Sequence, residues 1–253
     1  TATGGNPTQV STRWLYAYND NIGNTYSEWE YLNTSGSLTI GLGYTMKGSG
    51  NATALQNYVF VGKPNNGTIS NNVSPENGGL ANDILLGNPY PSAIDANEFI
   101  KDNIPFLNPD NSPSQANSDT SESINGTIYF WEHYASNNTH ILRDYQGGYA
   151  TYNLSGGVPA SAQADVNQTA PASPKTPGQY IAVGQSFYVV GEPGGVIEFN
   201  NGQRTFEKEA TGISVFMKSS STKSKTTTTE TDLRPKFQSS FTSFSRRSRL
   251  YLK

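Results

Sequence analysis

Between residues 129 and 149 the chain reads YFWEHYASNNTHILRDYQGGY, a stretch that holds Glu132, both histidines of the protein (His133 and His140), Arg143 and Asp144. Two imidazoles and a carboxylate are donor types of a metal site, and a carboxylate beside a histidine can serve general acid–base work. His133 and His140 are seven residues apart around Asn137-Asn138-Thr139, a turn signal, so a hairpin loop could set them face to face with Asp144 nearby. No HExxH, zinc-type spacing or GxSxG elbow accompanies them. The competing reading is structural: two strands carrying Tyr129, Phe130, Trp131, Tyr149 and Tyr152, with the charged residues in and beside the turn that joins them. The structural reading is preferred, because the corresponding hairpin near the N-terminus has the aromatics and no histidine.

Two further sets of residues could bind something. Asn19-Asp20-Asn21, Asn82-Asp83, Asp95 and Asn108-Asp110-Asn111 offer the hard oxygens that calcium prefers, although no EF-hand loop is present and Asx residues are also ordinary turn formers. Structural calcium is the cofactor these stretches admit, with Asp20, Asp83 and Asp110 as candidate ligands, while His133, His140 and Asp144 are the candidate ligands of a separate metal site, whose less favoured reading is a metal-dependent enzyme. Trp14, Trp29, Trp131 and Tyr149 are candidate ligand-binding residues, since flat indole and phenol rings stack well on the apolar faces of sugars. Gly41, Gly43 and Gly184 lie in strand-like surroundings without a following Lys-Ser/Thr, which favours close packing or a bulge over a phosphate loop.

The elements that must position these residues are strands. In 253 residues there are 25 Gly, 14 Pro, 15 Tyr and 11 Phe, with only 15% charged residues. Aromatic and β-branched side chains suit a pleated surface, and Gly, Pro and Asn suit its corners. No cysteine is present, which removes disulfides and thiolate metal sites. No apolar run of 18 or more residues predicts a transmembrane helix, and TATGGNPTQV has no signal-peptide pattern, so the sequence reads as a soluble piece of a longer protein. From Ser219 onward four Lys and four Arg face Glu230 and Asp232, while the preceding residues hold nine basic and eighteen acidic side chains. An acidic body argues against nucleic acid and leaves calcium, carbohydrate or protein as partners.

Period-two patterns predict a hairpin from RWLYAYND (13–20) and YSEWEYL (26–32), then strands at 37–48 and 57–69. One helix is expected in 85–104, with Ser92 as N-cap and Ile94, Phe99 and Ile100 packing inward. A polar surface loop follows at 105–123. Strands at 126–134 and 147–154, a linker at 155–177, strands at 179–191 and 194–206, and a closing strand at 214–217 complete the body. The two halves repeat an order of aromatic hairpin, glycine-led strand and Asn-rich turn, with Gly41 matching Gly184, Tyr44 matching Phe187 and Phe60 matching Phe199. Residues 1–218 thus form one module, 219–232 a polar Ser/Thr/Lys linker, and 233–253 a basic strand-like tail that reads as the start of a further domain.

LLGNPYPSAIDANEFI, GTIYFWEHY, QGGYATYNLSGGVP, YIAVGQSFYV and FNNGQRTF, together with GLGYTMKG and YVFVGKPNNG, resemble the β-rich segment of large secreted surface proteins of Bacteroidota, found upstream of type IX secretion sorting domains. The resemblance spans roughly residues 13–217; no sorting-domain pattern ends this chain. It implies a secreted or cell-surface β-sandwich used in adhesion or as a structural part, with no catalytic residues to carry over. The expected fold is all-β: a jelly-roll-like β-sandwich with one short helix, long polar loops and two related halves. The expected function is a non-catalytic adhesion or structural module whose partners are a glycan or protein surface and other domains of its parent. The alternative is a carbohydrate-binding module attached to a secreted hydrolase.

Overall fold

The computed structural model describes residues 15–18, 29–32, 37–46, 55–59, 62–74, 82–104, 122–133, 147–161, 175–207, 236–237 and 247–251, with side chains for all of them except 55–59, 133, 236–237 and 247–251. Strands form where apolar and aromatic residues alternate between turn signals. They are β1 (Leu15–Tyr18), β2 (Trp29–Tyr31), β3 (Tyr44–Met46), β4 (Leu55–Val59), β5 (Ile69–Asn72), β6 (Asn82–Gly87) and β7 (Ala93–Asp95), followed by the single α-helix among the described residues, α1 (Ala96–Asp102). After it come β8 (Ile124–His133), β9 (Gly147–Asn153), β10 (Gly156–Val158), β11 (Tyr180–Ile181), β12 (Ser186–Gly191), β13 (Val196–Phe199), β14 (Arg204–Thr205), β15 (Lys236–Phe237) and β16 (Arg247–Tyr251). The protein is all-β and sandwich-like, with several antiparallel sheets and one short helix.

The main sheet has five strands in the order β10-β9-β8-β12-β6, all antiparallel. Its inner face carries Ile128 and Phe130 of β8, Ala150 and Tyr152 of β9, Phe187 and Val189 of β12 and Leu86 of β6, all buried. These residues pack in one core with Ala96, Phe99 and Ile100 of α1 and with Ile94, Ile181, Ile197 and Phe199 from the small sheets β11-β7-β14 and β13-β5. Phe99 is fully buried, its ring stacked on Phe199 (5.1 Å, 29°) and meeting Phe187 edge-on (5.5 Å, 82°). Each such side chain contributes about 1.5–3 kcal/mol through burial. A seven-residue helix would not persist alone, and this packing is what holds it.

The separate sheet β2-β1-β3 is tied to β6 of the main sheet through the residues just before β3. Leu42 bridges to Leu86, with Gly43 N–H donating to Leu85 O (2.8 Å) and Gly87 N–H to Gly41 O (3.0 Å). Gly43 permits that approach: a Cβ there would lie 2.6 Å from both the Leu85 side chain and the Leu86 carbonyl oxygen. Gly41 (φ 89°) and Gly184 (φ 68°), matched in the proposed repeat, both adopt the left-handed conformation in the turn before a strand. The two segments after them pair with opposite edges of β6. In a further small sheet, β16 pairs with β15 and lies parallel to β4.

The structure departs from the sequence expectations in several places, among them the run 194–206, which divides into β13, a 3₁₀ turn at 201–203 and β14, and the run 57–69, where 62–68 is not strand. The helix N-cap is Asp95, whose Oδ1 accepts from Asn97 N–H (2.9 Å) and Glu98 N–H (3.4 Å). Ser92 cannot play that part because the next three residues are committed to β7 by pairing with β11 and β14; its hydroxyl accepts from Arg204 Nε instead. The run 179–191 divides into β11 and β12 at the Gly184 turn. The presumed linker at 155–177 contains β10, which closes a hairpin on β9 through Asn153 Oδ1, an acceptor from Ser155 N–H (2.9 Å). The strand expected at 214–217, Phe60 and the linker at 219–232 lie outside the described residues, as does nearly all of the loop at 105–123.

Phe99→Ala should destabilise the protein by about 3–5 kcal/mol, since it removes a ring from the point where helix and both layers meet. Lys101→Ala on the open side of the same helix should change stability by less than about 0.5 kcal/mol. Guanidinium unfolding of the two variants checks this; equal losses would show that the helix does not sit on the core as stated.

Candidate functional site

Because side chains alternate across a strand, the residues between the core positions of β8, β9 and β12 project from the second face of the main sheet. They are Tyr129, Trp131, Tyr149 and Tyr188. The hairpin β1–β2 brings Tyr18 beside Trp29 and Tyr16 beside Tyr31. A continuous row of rings results: Trp29–Tyr18 (5.1 Å, 63°), Tyr18–Tyr188 (5.2 Å, 86°), Tyr188–Tyr149 (5.8 Å, 85°) and Tyr149–Trp131 (5.0 Å, 66°). Edge-to-face contacts of this kind are worth about 0.5–1.5 kcal/mol each beyond area burial. Gly147 makes room for the last ring, because a Cβ there would fall 2.5 Å from Trp131 Cζ2.

Tyr149 is 48% exposed, whereas Trp29, Tyr18, Tyr188 and Trp131 are half-buried. The hydroxyl of Tyr149 reaches across β8 to a hydrogen bond with Tyr188 on β12. Its pKa is raised, first by loss of solvation at that inner end and then by the nearby Asp83 carboxylate on β6, with the Tyr188 hydrogen bond opposing. So Tyr149 is half exposed while its ring packs against both Trp131 and Tyr188.

A second polar centre lies in the core. Asp102, fully buried at the end of α1, accepts through Oδ2 from Asn200 Nδ2 (2.8 Å) and Gln203 Nε2 (2.9 Å). Asn103 donates to Phe99 O and Glu198 O and accepts from Glu198 N–H (2.8 Å). Gln203 also accepts from Asn200 N–H, closing the 3₁₀ turn 201–203. Asn103, Asn200 and Gln203 each bind backbone and Asp102 joins the last two side chains, so the cluster is a fastening between the helix end and β13. Glu198, 8% exposed, has one buried oxygen, Oε1, without a hydrogen-bond partner. Its carboxyl is raised above the ordinary 4.5, chiefly by burial and further by Asp102.

NPYPS has a structural part of the same kind. Asn88 Nδ2 donates to Ser92 O (2.9 Å) and Ala182 O (3.1 Å), while its Oδ1 accepts from Tyr90 N–H. Buried Tyr90 donates to Gly67 O (2.6 Å) beneath the Arg204 guanidinium, 5.0 Å from the ring centre. Burial pushes its phenol up to about 12, against the lowering influence of Arg204.

Of the residues singled out from sequence, Trp29, Trp131 and Tyr149 are brought into the row, and Trp14 lies outside the described residues. Asp83 is exposed on β6, and its charge raises the Tyr149 phenol. His133 ends β8 opposite Gly147, with only its backbone described; Asp20, Asp110, His140 and Asp144 lie outside the described residues. Among the described residues no group of three or more His, Cys, Asp or Glu could hold a metal ion, and no helix is long and apolar enough to cross a membrane. Asp95 and Asn82, from the Asx-rich stretches, are engaged by Gln179 Nε2 and by Ser74 O. Tyr18 and Tyr188 were not singled out. Their signal was the alternation itself, which sets Tyr188 out of phase with core Phe187.

A family described as a domain of unknown function (DUF8693) matches residues 5–235. No curated protein and no solved structure matches the chain.

Glu198 holds its proton more tightly in the folded protein than in the unfolded chain. Its contribution to stability is therefore fully present below the ordinary glutamate pKa and is lost as pH rises through the elevated folded value. Glu198→Gln should melt higher than the parent at neutral pH and show a flatter fall of melting temperature from mildly acidic to neutral pH. A lower melting temperature at neutral pH, or an unchanged slope, would contradict the assignment.

Proposed function

The chain belongs to the DUF8693 family, a domain of unknown function, and from the aromatic face of its main sheet we propose that it is a non-catalytic adhesion or structural module of a larger secreted or cell-surface protein. The observation that carries this reading is the aromatic row on the second face of the main sheet. Rings that could have completed the core are held instead on the other side, and one of them, Tyr149, is half open to water. Aromatic side chains with a polar tip are the residues that anchor binding surfaces, because they supply large contact area at small conformational cost. The buried acids and amides, by contrast, are engaged in joining layers. The resemblance of NPYPS, IYFWEHY and GQSF to segments of type IX-exported surface proteins of Bacteroidota supports the extracellular setting, and these motifs serve the sandwich itself, as expected of a scaffold shared among surface proteins.

Immobilised protein should retain at least one member of a panel of purified collagen, fibronectin, laminin and insoluble polysaccharides. Replacing Tyr149 and Trp131 by alanine should reduce retention at least roughly tenfold, a loss of about 1.4 kcal/mol, with circular dichroism unchanged. Undiminished retention by a folded double variant would remove the aromatic face from the function.

A further inference from the structure

We infer that the edge of β4 is a docking site for an extended strand, and that its occupant is the C-terminal tail of a second copy of this chain. The pairing with the chain's own tail is the closed form of the same contact, and neither form involves the aromatic row. β4 pairs in parallel with β16 along its whole length, from Arg247 opposite Leu55 to Tyr251 opposite Val59. Among the described residues β4 has no other strand partner, and β15 and β16 pair only with each other and with β4. The tail thus joins the body as a peptide joins an open sheet edge, through main-chain hydrogen bonds.

Two facts make this strand separable from the body it pairs with. The family match covers β4 but ends at residue 235, immediately before Lys236 begins β15. The acceptor strand therefore belongs to the family domain, and the donor hairpin lies beyond it. Residues 219–232, which lead to that hairpin, are all Ser, Thr, Lys, Glu or Asp, so they carry no apolar anchor that would assign the tail to one body. Charge favours the encounter: from Ser219 onward four Lys and four Arg face Glu230 and Asp232, whereas the preceding residues hold nine basic and eighteen acidic side chains. Basic donor and acidic acceptor attract whether or not they share a chain. A tail on the same chain competes at an effective concentration on the order of millimolar, so exchange takes place where copies are held at comparable density. Each exchanged tail links one copy to β4 of the next, a head-to-tail contact that closes as a ring or extends as a chain.

Leu250 pairs with Tyr58 of β4 on one edge and with Phe237 of β15 on the other, so a proline there removes a ladder hydrogen bond whichever way its N–H points. A labelled peptide of residues 233–253 is titrated onto the full chain and onto full-length Leu250→Pro, whose own tail cannot hold the edge. It should bind the variant at least roughly tenfold more tightly than the parent. A peptide that itself carries Leu250→Pro keeps every charge and should bind neither, which separates strand pairing from charge attraction. Light scattering of the concentrated parent should show association that excess free peptide reverses and the proline peptide does not, a comparison that does not depend on how the variant chain folds. Equal binding to both chains, binding to neither, or binding undiminished by proline in the peptide would overturn the docking edge. A parent that stays monomeric when concentrated, or whose association ignores the free peptide, would overturn the exchange between copies.

Discussion

Strand β6 is hydrogen-bonded along one edge to β12 and, at its Leu85–Gly87 end, to residues 41–43 on the other edge, and the aromatic row depends on that double pairing. On one side all six of its residues pair with β12; on the other, Leu86 and its neighbours pair with residues 41–43. A backbone group left unpaired in a buried strand costs about as much as a lost hydrogen bond, so the small sheet β2-β1-β3 is fixed where it meets the large one. That placement brings Tyr18 of β1 to Tyr188 of β12 and joins two separate aromatic hairpins into one row. The glycine at 43 is the steric condition for it.

The opposite face is governed by the core and its polar fastening. Phe99, Phe187 and Phe199 meet where the helix rests on the main sheet, and Asp102 with Asn103, Asn200 and Gln203 ties the helix end to the next strand and turn. A buried network of this sort tolerates little change, since one missing partner strands several donors. This accounts for the buried acids and amides: they hold layers in register, and the aromatic row lies on the side they leave free.

Much of this was legible from residue pattern. The β8–β9 and β1–β2 hairpins followed from period-two aromatics and the helix from Ile94, Phe99 and Ile100, whereas Gly41 and Gly184, expected to serve close packing or a bulge, turn the chain in the left-handed conformation. The cap was misplaced because Ser92 and Asp95 have equal local credentials, and only the pairing of β7 with two other strands decides between them. β10 was missed because Gly-Gly-Val carries almost no propensity; its strand form comes from the hairpin with β9. Trp29, Trp131 and Tyr149, named from sequence as ligand-binding candidates, lie in one row of rings, yet nothing in sequence links positions 29, 188 and 149.

Sequence by itself determined the all-β class, the short helix and the hairpins, and which side of each strand would carry aromatics, because alternation is a local property of an extended chain. Tertiary structure decided which face each hairpin would share and with whom. The distance from Tyr18 to Tyr188 depends on strand order, on the absence of a side chain at Gly43 and on the twist of sheets joined through β6. The opening stretch, with its histidines and acids, is therefore defined by Trp131 and Tyr149 at its two ends, whose neighbours come from elsewhere in the chain: contact across a sheet is set by hydrogen-bonded register, which spacing along the sequence does not encode.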